Sequence, residues 1–144
     1  MTKIKKLKIC NWSLLFLTVA ILVSGIQLEA THSEGLYSVW IHIVIGLLFM
    51  GMVFTHIYLH FGKSNWFSRF HRLPSQITRI LWWVSLLTLL TGVIAMIHWA
   101  GTFSHAAIGG VHGKLGFVMV AVSIGHIVKR IKFFKNKKPA KKGA

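Results

Sequence analysis

Four long apolar runs divide the chain, over about residues 11–28, 39–59, 80–99 and 108–128. Each approaches the roughly 20 mostly apolar residues that carry a helix across a bilayer core, and each holds few or no full charges. The pattern predicts an all-α integral membrane four-helix bundle, a single membrane domain over 1–144, with a basic tail at 129–144 that is expected disordered around Lys137, Lys138, Lys141 and Lys142. The first run follows Lys3, Lys5, Lys6 and Lys8 and has the outline of a secretory leader. No small-x-small cleavage pattern follows it, so it is expected as a retained first helix.

Charge orients these spans. The chain has 17 Lys plus Arg against 2 acidic residues. In a soluble protein that excess would suggest a nucleic-acid partner. Here the basic residues sit at the ends of apolar runs, so the expected partner is membrane lipid and not nucleic acid. The N-terminal lysines, Lys63, Arg69, Arg72 and Arg79 between the second and third runs, and Lys129, Arg130, Lys132 and the tail all fall on one side of a four-span model. Glu29 and Glu34 fall on the other, in a connection without Lys or Arg. By the positive-inside rule both termini are cytoplasmic. Lys114 alone lies on the outer half. Trp12, Trp40, Trp66, Trp82, Trp83 and Trp99 fall near the run ends, as an interfacial belt requires.

The two halves resemble each other. Val23-Ser24-Gly25-Ile26 aligns with Leu90-Thr91-Gly92-Val93, and the stretch from His42 to His56 with that from His112 to His126, as two copies of a helix pair would.

The chemistry lies in the histidines, of which there are 9. His42 and His56 are 14 apart in the second run, and His112 and His126 are 14 apart in the fourth. Fourteen residues is four turns at the 3.5-residue repeat of packed helices, so both histidines of a run face one way. They are separated by roughly 21 Å of helix rise. The second and fourth runs cross in the same direction, which puts His42 level with His112 and His56 level with His126. A haem iron takes two axial ligands, often histidine, and two facing helices then offer two stacked imidazole pairs. Gly46 and Gly116, one turn after the first histidine of each run, and Gly25 and Gly92, in the other two runs, would let a flat macrocycle approach the backbone. A lone histidine in a membrane helix is ordinarily a packing residue. Four in register, each with its insertion cost, predict two haems bound by His42, His56, His112 and His126. Zinc or copper would ask for clusters of three or four ligands. The single cysteine, Cys10, and the absence of a CxxCH exclude covalent attachment, so the predicted cofactor is non-covalent heme b.

Among the other histidines, His60 follows His56 by one turn and competes with it as ligand, but its choice would break the matched spacing. His71 is expected solvated. His32, His98 and His105 are expected at the outer side, and Lys114 is placed to neutralise an outer propionate.

Paired histidines 14 apart in the second and fourth helices resemble the di-haem bundle in the cytochrome b of quinol–cytochrome c oxidoreductases. The short length, His56-x-x-x-His60 and Trp66 resemble the small bacterial cytochromes associated with flavinylated extracytoplasmic electron-transfer proteins. The resemblance covers about residues 11–131. It implies a bacterial inner-membrane protein that passes electrons across the bilayer between a quinone or flavoprotein partner and an acceptor on the other side, as a subunit or a homo-oligomer. The departure is a first run without histidine, where some small cytochromes b carry a ligand. Two further classes remain: an oxidoreductase acting on quinone, ferric ion or superoxide at its outer face, and a non-redox scaffold.

Overall fold

The structure, a computed structural model, describes residues 2–31, 36–62, 75–104 and 107–134. His32, Glu34, Lys63, Trp66, Arg69, His71, Arg72, His105 and the tail from 135 onward lie outside the described residues. Four helices form: α1 (Lys3–Ala30), α2 (Leu36–Phe61), α3 (Gln76–Thr102) and α4 (Ala107–Phe134). All four are long and apolar enough to cross a membrane. In hydrocarbon every backbone N–H and C=O must find its partner inside the segment, and a helix does this without a neighbour.

Each helix is longer than its apolar run. At 26 to 28 residues they rise about 40 Å, enough to cross the headgroup layers as well as the core. Lys3, Lys5, Lys6 and Lys8 are therefore helical, and residues 129–134 continue α4 into the basic tail. Lysine and arginine are good helix formers, and hydropathy marks only where the apolar stretch ends. One termination has a distinct geometry. Phe103 closes α3 in the left-handed region, at φ 51°, and donates its N–H to the Trp99 carbonyl at 2.7 Å.

Side chains are arranged inside out relative to a soluble bundle. Phe16, Leu48, Leu90 and Ile124 are exposed on four different helices, and Phe16 is 72% exposed. A water-soluble chain would not leave so much apolar surface uncovered. The protein is a multi-pass membrane protein.

The helices pack as two hairpins, α1 with α2 and α3 with α4, and α1 also touches α4. The sequence repeat is thus a structural repeat. Among the described residues, α2 and α4 make no extended backbone contact with each other. The α1–α2 and α3–α4 connections share one end of the bundle, the hairpin end; the chain termini share the other, the terminal end. At the hairpin end Trp40 of α2 meets Trp99 of α3 edge-on, with ring centres 5.5 Å apart, and Trp99 packs on Phe103. At the terminal end Lys129 donates from Nζ to the buried Ser75 hydroxyl at 3.1 Å.

Candidate functional site

Two of the buried polar residues, Ser24 and Thr88, lie beneath two of the four matched histidines. His42 projects from α2 and His112 from α4, and their ring centres stand 6.1 Å apart, with planes at 78°. The Ser24 hydroxyl donates to the Ile21 carbonyl at 3.0 Å. Its oxygen is therefore left to accept from His42 Nδ1, 2.9 Å away. His112 Nδ1 lies 3.0 Å from the Thr88 carbonyl, which can only accept. Both rings thus carry their proton on Nδ1, and in the neutral imidazole Nε2 keeps its lone pair.

The repeat-related glycines seat these rings. A Cβ built on Gly92 would stand 2.8 Å from His112 Cε1 and 3.0 Å from Nδ1; one on Gly25 would stand 3.7 Å from His42 Cε1. Their nearest neighbours are the imidazoles themselves, although both also line a cavity. That cavity has a volume of about 430 Å³ and extends from His42 and His112 to Trp99 and, at the hairpin end, Glu29 and Ser104. Gly116 faces into it, and a methyl added there would meet nothing within 4 Å. A smaller space of about 90 Å³ runs deeper, past Gly46 and Phe49. A Cβ on Gly46 would meet Ile21 at 3.6 Å. Lys114 is exposed and does not line the larger cavity.

The other level is arranged differently. His126 Nδ1 is 3.4 Å from the Thr78 hydroxyl. His56 Nδ1 is buried with no hydrogen-bond partner. His60, one turn on, packs its ring 4.6 Å from that of His56. His56 and His126 lie within electrostatic range of each other. His42 and His112 therefore lie at one depth, as parallel crossing of α2 and α4 requires. His98 bonds Thr102 on the exposed end of α3.

These atoms can be tested against a metal that takes two axial imidazoles. Two metal–nitrogen bonds of about 2 Å, with the offset from each nitrogen to its ring centre, separate the ring centres by about 6 Å. The 6.1 Å at the hairpin end fits. Nδ1–H donation to a carbonyl or hydroxyl is also how metal-bound histidines are held by their surroundings. The cavity falls within the about 300–1,000 Å³ of cofactor sites. At the terminal end the donor types fit, and the orphaned His56 Nδ1 marks a level less tightly held.

Ser24, Thr88 and Thr91 escape the sequence pattern. The signal for Ser24 and Thr91 is the Ser/Thr-Gly pair that recurs at Ser24-Gly25 and Thr91-Gly92, and it does not extend to Thr88. No family model matches this chain, and no curated protein or solved structure matches it either.

Proposed function

We propose that this protein is a membrane cytochrome b. In this reading His42 and His112 ligate one non-covalent heme b, His56 and His126 ligate a second, and the protein carries electrons across the bilayer between a quinone or flavoprotein partner and an acceptor on the other face. The observation that carries the reading is the His42–His112 pair: two imidazoles from different helices, 6.1 Å apart, each with Nδ1–H engaged and Nε2 left for a metal.

When bound, the two groups supply one-electron carriers with no open coordination position. The chain does the rest. The four histidines would bind, and Gly25 and Gly92 admit the rings of His42 and His112. Apolar residues such as Met96, Met119 and Val120 line the cavity and would pack against the bound group. The distribution of lysine and arginine supports a bacterial inner membrane with both termini cytoplasmic, which makes the hairpin end periplasmic. A second reading, an oxidoreductase in its own right, is favoured by one feature: the larger cavity reaches Glu29 and Ser104 at the hairpin end, where a small substrate would enter.

The test is the cofactor load. Purified protein should yield two haems per chain in a pyridine haemochrome assay, extractable by acidified solvent. None would remove the reading, and one would remove the pairing. Steady-state assays with quinol, ferric chelate or superoxide separate the enzyme from the relay.

A further inference from the structure

The two hairpins are related by repeat, yet they restrain their histidines by different atoms. In the first, Ser24 accepts directly from His42 Nδ1. Its repeat counterpart, Thr91, does not reach His112. Its hydroxyl is 2.8 Å from the Leu87 carbonyl and 3.1 Å from that of Thr88. The Thr88 carbonyl is the group that accepts from His112 Nδ1. One helix thus presents a side-chain oxygen to its histidine, and the other a backbone oxygen on which a threonine also bears. The acceptors come from α1 and α3, the helices without ligands, and each pins a ring on the neighbouring helix.

We propose that Ser24 and Thr91 are positioning residues that hold the His42 and His112 rings crossed, Ser24 directly and Thr91 through the Thr88 carbonyl. The proposal rests on the haem reading. Swinging either ring about its side-chain torsion would break its Nδ1 bond, and in largely apolar surroundings an unpaired N–H is costly. The His112 ring occupies the space that a side chain at position 92 would fill. The 78° between the planes is therefore imposed by the protein. It is not free to relax to the parallel arrangement. At the terminal end the corresponding restraint is a longer contact to Thr78 for one ring and nothing for His56 Nδ1, so the effect belongs to one level only.

Crossed axial imidazoles leave two iron orbitals nearly equal in energy, and the oxidised low-spin centre then gives a strongly anisotropic electron paramagnetic resonance signal. The experiment records that spectrum on the holoprotein, with the hairpin-end signal identified as the one lost in His42→Ala. Ser24→Ala should shift that signal toward lower anisotropy and leave the other unmoved. It should also weaken retention of the hairpin-end haem by roughly 10-fold, as loss of a supporting hydrogen bond to a metal ligand does. Ser24→Thr, which keeps the hydroxyl, should restore the spectrum. Thr91→Val should move the same signal in the same direction by less, and it stands as the test if Ser24→Ala does not fold. An unchanged hairpin-end signal in Ser24→Ala or, failing that variant, in Thr91→Val overturns the proposal, as does an equal shift of both signals. Wild-type protein without haem overturns the underlying function instead, and the haemochrome assay distinguishes that case.

Discussion

Replacing Gly92 by alanine should damage the hairpin-end site, while the same change at Gly25, its repeat counterpart, should be tolerated. The added methyl at position 92 would stand 2.8 Å from His112 Cε1, and ordinary contact begins at 3.4 Å, so the ring must retreat by about 0.6 Å. It cannot do so freely, because Nδ1 is held to the Thr88 carbonyl at 3.0 Å. Overpacking of this kind costs about 1–3 kcal/mol. An Nδ1–H torn from its acceptor in the interior costs about another 1–3 kcal/mol. Against this, alanine in a helix gains about 1 kcal/mol over glycine. The net loss is about 1–5 kcal/mol, and at its middle, about 3 kcal/mol, it corresponds to roughly a 100-fold change in an equilibrium constant. At Gly25 the methyl meets His42 at 3.7 Å, an ordinary contact, and the helix gain remains. Two measurements check this: thermal unfolding followed by far-ultraviolet circular dichroism in detergent, and transfer of haem to a competing apoprotein. Gly92→Ala should unfold earlier and surrender one of two haems, and Gly25→Ala should match wild type or exceed it. Equal behaviour of the two variants would refute the assignment of Gly92 as the seat of the His112 ring.

Three further outcomes follow from the same geometry. His42→Ala and His112→Ala should each leave one haem per chain, the same one by its redox potential; His56→Ala and His126→Ala should leave the other, and His60→Ala should keep both in a haemochrome assay. If His60→Ala loses a haem and His56→Ala does not, the ligand lies one turn away. A reporter active only in the periplasm should be silent when fused after Lys142 and active when inserted near Gly35; the reverse pattern inverts the assigned orientation. Cys10, 3% exposed, with its thiol 3.9 Å from the Met52 carbonyl between α1 and α2, should react with a maleimide slowly in mild detergent and rapidly in dodecyl sulfate, which a mass shift reads directly.

The four helices and their pairing were legible in the sequence because hydrocarbon enforces both. An apolar run of about 20 residues has few alternatives to a helix, and the repeat of Ser24-Gly25 as Thr91-Gly92 marked equivalent hairpins. The helix ends were not legible. Lys3 to Lys8 and residues 129–134 are rich in lysine and arginine yet helical, since the hydrogen-bond ladder continues past the apolar runs. The level pairing of His42 with His112 followed from equal spacing and parallel crossing, both properties of the chain alone. The glycines stood out, but their immediate neighbours did not: spacing shows that Gly25 and Gly92 make room without showing that an imidazole edge fills it. Least legible was the support beneath the rings. A serine in a membrane helix ordinarily bonds its own backbone, and Ser24 does so while also accepting from His42. On the other side the acceptor is a main-chain carbonyl, which no residue pattern encodes.

The equivalence of the two hairpins bears on ancestry. Two copies of a helix pair crossing in the same direction would be related, in a symmetric ancestor, by a two-fold axis along the membrane normal, with His42 and His112 on opposite sides of it. A single hairpin with one histidine at each depth would, on pairing with its twin, generate both sites from half the information, since on such an axis every residue is used twice. Joining two such hairpins in one chain would remove that constraint. Each half could then differ from its mate, and the serine hydroxyl on one side against the threonine-backed carbonyl on the other is a difference that two identical chains could not carry.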